Sequence, residues 1–258
     1  MSDNAIKVNN ISFAYEKNPI YDGFSLDIPQ NSIYFIMGIN GCGKTTLLKI
    51  ICSFLKVDAG CIEIEGKVLP EYDSKALART IAYVPQILNL NSDFTVKDYL
   101  ALGRTPYKGF CDAIDKNDYK IVEEYAANLD LLELLEKEFN TLSGGQKQMV
   151  SICRALIQET PIIIMDEPMS ALDMGKQAEF LALIADLKHK GKTIILTSHN
   201  PNHALALSDD CQVCFIHNKT LLGVGDCTKV LSKENIHTVF GDKVDYDSDT
   251  RSVIFNVF

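Results

Sequence analysis

The segment Gly38-Ile39-Asn40-Gly41-Cys42-Gly43-Lys44-Thr45 sets glycines at three positions just ahead of a lysine and a hydroxyl residue. Glycines let successive backbone N–H groups curl toward one point, and they let that backbone approach a ligand closely. The apolar run Ile33-Tyr34-Phe35-Ile36-Met37 leads in and the striped stretch Lys44–Ile51 leads out, so the spacing predicts strand, loop and helix start in that order. Ile39, Asn40, Gly41, Cys42 and Gly43 would then offer backbone donors, with the partial positive charge of a helix N-terminus behind them. Phosphate oxygens are the fitting ligand. Lys44 would add a full charge for β and γ phosphates, Thr45 a ligand for Mg²⁺, and Thr46 a further hydrogen bond. A glycine-rich turn that merely precedes a helix is the competing reading, and the flanking elements argue against it.

Ile162-Ile163-Ile164-Met165-Asp166-Glu167-Pro168 is the second candidate. A buried strand ending in two acids delivers them to the carboxyl edge of a parallel sheet, where α/β proteins bind ligands. Asp166 would hold Mg²⁺, directly or through water, and Glu167 would polarise the water that attacks a γ-phosphate. An acidic turn after an ordinary strand is the bland alternative. With the phosphate loop upstream, triphosphate hydrolysis is the better reading.

Those groups need a scaffold, and 258 residues suffice for one large α/β domain or two small ones. Hydrophobic residues at 47% and charged residues at 23% exclude a disordered or fibrous chain. Lys and Arg number 25 against 34 Asp and Glu, a net charge of −9 that makes a poor non-specific nucleic-acid binder. Met1 to Asn10 lacks an apolar signal region and no apolar run is long enough to cross a bilayer, so a cytosolic address is expected. The eight cysteines (42, 52, 61, 111, 153, 211, 214, 227) are scattered and read as reduced thiols. Cys211-x-x-Cys214 falls in a predicted strand, where a spacing of three sends the side chains to opposite faces; no second pair completes a zinc site.

Continuous apolar runs at Ile33–Met37, Ile81–Val84, Ile162–Met165 and Thr193–Thr197 predict strands of a parallel sheet covered on both faces. Alternation over Ile6–Ile11 and Cys61–Val68 predicts half-exposed antiparallel strands. Helical spacing over Val96–Gly103, Asn117–Leu135 and Gln146–Gln158 predicts an all-helical insertion, with Ile121, Val122, Tyr125, Leu129 and Leu132 on one side of the second helix. One domain with lobes is the economical reading. Asp242 to Phe258 would be a final strand pair or a docking tail.

Leu142-Ser143-Gly144-Gly145-Gln146-Lys147-Gln148 resembles the signature loop of ATP-binding cassette (ABC) proteins. Tyr15 resembles the aromatic residue that stacks on adenine, Gln86 the Q-loop glutamine, Ser170-Ala171-Leu172-Asp173 the D-loop and His199 the switch histidine. Singly, Tyr15 would be a strand aromatic, Gln86 a loop amide and His199 a polar strand end; their joint order favours the resemblance. It implies a P-loop NTPase of the ABC ATPase type: a RecA-like α/β core, an N-terminal antiparallel β-subdomain and an inserted α-helical subdomain at 92–157. The motifs span residues 6–235, leaving 236–258 as an extension. Met169 and Asn200 depart from the threonine and aspartate usual at their positions.

The resemblance further implies a homodimer that sandwiches two ATP molecules with Mg²⁺. Ser143, Gly144 and Gly145 of one copy would face the nucleotide on the other copy's phosphate loop. Lys44 and Ser143 would stabilise developing charge, Glu167 would orient water, and His199 would sense the γ-phosphate. Gln86 would link Mg²⁺ to the helical insertion, and Asp173 would belong to the same catalytic set. Leu102–Tyr107 and Ser198–Ala204 resemble the importer subfamily for iron chelates, haem, cobalamin and molybdate. On that reading the Arg104/Pro106 segment meets the coupling helix of a permease, and an exposed helix end is its plainer alternative. The implied partners are a second copy, two transmembrane permease subunits at the cytoplasmic face of the inner membrane and, indirectly, a substrate-binding protein. A soluble non-transport ABC ATPase, such as one for iron–sulfur assembly, and an exporter or lipoprotein-release ATPase stay open. The transported solute is not written in this chain.

Overall fold

The computed structural model describes residues 3–86, 94–109, 112–247 and 249–255. Cys111 and the first residues of the predicted insertion, at 92 and 93, lie outside them. Two compact units divide the chain: Met1–Glu71 with Glu179–Phe258, and Tyr72–Ala178.

The first unit opens with β1 (Asn4–Tyr15), β2 (Asn18–Pro29), β3 (Ile33–Met37), α1 (Lys44–Ile51), β4 (Ala59–Ile64) and β5 (Lys67–Val68). The second holds α2 (Ser74–Thr80), β6 (Ile81–Val84), α3 (Val96–Ala101), α4 (Lys116–Asn128), α5 (Gly144–Ile157) and β7 (Ile162–Met165). α6 (Met174–His189) returns the chain to the first unit, which ends with β8 (Thr193–Ser198), α7 (Pro201–Leu205), β9 (Cys211–His217), β10 (Thr220–Asp226), α8 (Cys227–Val230), α9 (Lys233–Phe240), β11 (Val244–Asp247) and β12 (Ser252–Phe255).

In the first unit β2, β1, β4 and β5 form an antiparallel sheet in that order. The alternation that predicts β1 is met: Ile6, Val8 and Ile11 are buried while Lys7 and Asn9 are half-exposed. A second sheet runs β10-β9-β3-β8, with β3 parallel to both β8 and β9. All five residues of β3 are buried, which is why its sequence is a continuous apolar run with no polar face. Cys211 and Cys214 pair with Ile33 and Ile36 and are both buried, because both faces of β9 are covered. The closing stretch forms a strand pair, β11 antiparallel to β12 with Val244 opposite Phe255.

In the second unit β6 and β7 are parallel, Ile81 opposite Ile162 and Val84 opposite Met165. Its helices enclose a core of Tyr99, Leu100, Val122, Ala126, Val150 and Ile157. α3 stops at Ala101 and continues as a 3₁₀ turn through Leu102–Tyr107, earlier than its apolar spacing predicts. Arg104 and Pro106 on that turn point inward and are buried, not presented at an exposed helix end. The Arg104 guanidinium donates to Ile157 O at 3.0 Å and to Glu159 Oε2 at 2.7 Å, lies 3.5 Å from Asp118 and stacks 4.4 Å from the Tyr107 ring centroid. It caps the Ile157 carbonyl at the end of α5 and, together with Lys108, faces the buried Asp118 carboxylate. Arg104→Met is therefore expected to destabilise this unit by about 1–2 kcal/mol, since the buried Ile157 carbonyl loses its donor while Asp118 keeps Lys108 as a charge partner. Urea unfolding followed by far-UV circular dichroism reads the shift in midpoint.

Candidate nucleotide site

In the first unit β3 hands the chain to the phosphate loop, and two of its glycines are sterically required. Gly38 and Gly43 have φ of 150° and 112°. A Cβ on Gly38 would sit 2.3 Å from Ile216 O, and one on Gly43 would sit 2.7 Å from the Tyr21 hydroxyl. Only glycine at these two positions lets the loop take this path against β9 and β2. Lys44, the first residue of α1, is 5% exposed, and its ammonium donates to Gly38 O at 2.8 Å and Ile39 O at 3.1 Å. Ile39, Asn40 and Gly41 are exposed, Thr45 is half-buried and Thr46 buried. Cys42 is buried, and its N–H donates to Ile39 O at 3.4 Å. Tyr15 closes β1 with 42% of its surface exposed, its ring held edge-on by Phe13 at 4.9 Å. An aromatic braced on one side and open on the other suits stacking on a base. His199 is exposed just past β8, behind the fully buried Thr197.

In the second unit Asp166 follows directly on β7, is 1% exposed and donates its N–H to Val84 O at 2.9 Å. Glu167 follows in the left-handed region at φ 47°, a conformation shared by Glu16, Glu65 and Glu159. Gln86, far away in sequence, donates from Nε2 to Glu167 Oε2 at 3.0 Å. The fold therefore brings Q-loop and acid together. Ser143 caps α5 through a capping box, its Oγ accepting from Gln146 N at 3.3 Å while Gln146 Oε1 accepts from Ser143 N at 3.0 Å. The N–H groups of Gly144 and Gly145 open the first turn and have no intrahelical acceptor. A Cβ on Gly145 would lie 3.1 Å from Ala171 O, so the signature and the D-loop pack closely. Asp173 Oδ1 accepts from Lys176 N at 2.9 Å, which starts α6 and gives that residue a helix-capping role the motif alone did not reveal.

The family model describing ABC transporters matches residues 21–170, more than half of the chain. The chain belongs to the ABC transporter family. The match takes in the phosphate loop, Gln86, the signature, Asp166 and Glu167, and as an ABC ATP-binding domain the chain binds and hydrolyses ATP. This ABC ATPase is 32% identical over 237 residues to the achromobactin transport ATP-binding protein of Dickeya dadantii, covering 92% of this chain and 87% of that one. It is 33% identical over 242 residues to the hemin import ATP-binding protein of Shewanella denitrificans, covering 91% and 92%. Among solved structures, a chain of a transporter assigned to the metal-chelate type, in an inward-facing conformation, superimposes with a TM-score of 0.81 at 27% identity over 98% of this chain and 97% of that one. Among the described residues no helix of the ABC ATPase is long and apolar enough to cross a membrane.

One group to which the motifs assign no role stands beside His199. His203 contacts both Ser198 and Asn200, the residues on either side of His199. The spacing of two histidines across a helix start was the available signal.

Proposed function

We propose that this chain is the ATP-hydrolysing subunit of a membrane importer for a metal chelate such as a siderophore complex, for haem or cobalamin, or for an oxyanion such as molybdate. Two copies close on two ATP molecules, with Ser143 and the N-terminus of α5 from one copy meeting the triphosphate held by the other. The phosphate loop and Lys44 bind β and γ phosphates, Tyr15 stacks on adenine, and Ser143 with Gly144 and Gly145 supplies the opposing donors. Thr45, Gln86 and Asp166 would hold Mg²⁺, which supplies positive charge to the triphosphate. Glu167 takes the proton of the attacking water, and His199 contacts the γ-phosphate. Asp173 starts α6 and fixes the D-loop that backs the signature.

The observation that supports hydrolysis is the Glu167 carboxylate just past the end of β7, where Gln86 Nε2 donates to its Oε2 at 3.0 Å. Import is supported by relatives that match most of this chain, among them iron(3+)-hydroxamate, hemin and molybdate import ATP-binding proteins, beside an achromobactin transport ATP-binding protein. The test is co-expression with any multi-span permease found encoded beside it, followed by liposome reconstitution. Phosphate release should rise several-fold when the paired binding protein arrives loaded with ferric siderophore, haem, cobalamin or molybdate, and the stimulating ligand names the solute. Failure to co-purify with any permease, alongside full ATPase activity alone, would favour the soluble non-transport reading.

A further inference from the structure

β8 ends at Ser198, and the loop bearing His199 passes at once into α7, opened by Asn200 and Pro201. Behind it stands the half-buried His203 with both ring nitrogens engaged: Nδ1 is 3.0 Å from Ser198 Oγ, and Nε2 is 3.3 Å from Asn200 Nδ2. The surrounding bonds decide where each proton goes. Asn200 Oδ1 accepts from Asn202 N at 3.0 Å, so the end of that amide turned toward the ring is its NH₂ donor. Nε2 must accept. The single ring proton then sits on Nδ1 and goes to Ser198 Oγ, whose own hydrogen goes to Asn200 O at 3.3 Å. Asn200 N closes the circuit by donating to the same hydroxyl at 3.1 Å.

We propose that His203, in its Nδ1–H tautomer, is the positioning residue that fixes the Ser198–Asn200 loop and so aims His199 at the γ-phosphate. This rests on His199 being the phosphate sensor. Asn200 and His203 form a matched pair: an aspartate at 200 would present only acceptors to Nε2 and would draw a second proton onto the ring. With asparagine there, a second proton would set N–H against NH₂ and break the circuit.

The surroundings keep the ring neutral. Burial, and after it the neighbouring His199, lower the His203 pKa to about 4. The elements packed on α7 carry Cys211, Cys214 and His217 on β9, Cys227 and Lys229 on α8, and no titratable group on β12. Of these, Lys229 is paired with Asp226 and the Cys211 thiol donates to Ala204 O. Just beyond the helix Asp210 is paired with Lys188, and Asp209 lies 4.0 Å from Arg251. A depressed histidine pKa means that the unfolded chain takes up the proton first. The circuit's contribution is complete above about pH 6.5 and falls away as pH drops toward the folded value.

Long-range proton–nitrogen spectra of the full chain test the tautomer directly. His203 should carry its proton on Nδ1 and remain neutral down to about pH 5, whereas a ring protonated on Nε2, or titrating near 6.5, overturns the proposal. Asn200→Asp should raise the titration point of His203 by about two pH units, and an unmoved titration also counts against it. In ATPase assays His203→Ala should lower kcat about tenfold with KM for ATP within about twofold. His203→Asn, whose amide donates from nearly the position of Nδ1, should restore most of kcat. Unchanged kcat in His203→Ala overturns the proposal, and so does the absence of rescue by asparagine. His199→Ala, measured alongside, separates the two ideas. If it leaves kcat intact, the sensor reading fails; if it abolishes turnover while His203→Ala does not, only the positioning role fails.

Discussion

Glu167→Gln should cut ATP turnover by about 10²-fold or more while ATP binding stays within a few-fold of the natural protein. The substitution replaces one oxygen by a nitrogen of nearly the same size, so the left-handed backbone at 167 is not further strained. Gln86 Nε2, which now donates to Glu167 Oε2 at 3.0 Å, can still find a carbonyl acceptor on the new side chain. What disappears is the ability to take a proton from water. ATP should therefore bind and persist, and under the proposed sandwich of two copies around two ATP molecules a dimer should accumulate that hydrolysis in the natural protein would dissolve. Single-turnover phosphate release and size-exclusion chromatography with ATP read the two effects separately. Phosphate release close to that of the natural protein would move the base role away from Glu167.

How far the sequence could be read differs from element to element, for physical reasons. β3, β6, β7 and β8 are covered on both faces, so their apolar runs are short and continuous and their bounds are legible almost to the residue. The second predicted helix, extended to Leu135, overruns. α4 ends at Asn128 because Asp130 turns left-handed at φ 55° and Leu131 N bonds back to Ala126 O at 2.8 Å. Leu131, Leu134 and Leu135 fill the same core, the first two of them around a 3₁₀ turn, whereas Leu132, expected on the apolar side, is 51% exposed because that turn rotates it out to solvent. α6 has little amphipathic contrast, with only Phe180 and Ile184 of its sixteen residues buried, so periodicity offered no handle on it.

The site divides in the same way. A phosphate loop is local, and its glycines can be read from eight consecutive residues. The Gln86–Glu167 contact and the packing of Gly145 on Ala171 join residues distant in sequence; family resemblance pointed to the participants but not to who touches whom. Arg104 marks the limit. A charged residue beside a proline at a helix end reads as surface, yet Ile157 O, Glu159, Asp118 and the Tyr107 ring together make burial tolerable. Only the tertiary structure supplies those partners.

Lys44→Ala should abolish hydrolysis and also weaken ATP binding by about 10²-fold, the pattern opposite to that of Glu167→Gln. Lys44 is 5% exposed, and two carbonyls of its own loop, Gly38 O and Ile39 O, take hydrogen bonds from its ammonium. Those carbonyls compensate for the loss of water around a charge that would otherwise be costly to bury. The same arrangement holds the cation beside backbone that Gly38 and Gly43 keep free of side chains. Alanine removes both the charge that triphosphate needs and the donors that tie the loop to the start of α1, so ground-state and transition-state binding fall together. Arginine should not rescue, because a planar fork cannot fit where a compact ammonium reaches two carbonyls of adjacent residues. ATP titration by calorimetry, with phosphate release on the same samples, is the measurement. Tight ATP binding by Lys44→Ala would show that the loop backbone alone holds the triphosphate, and the lysine would then be left with a role in the transition state only.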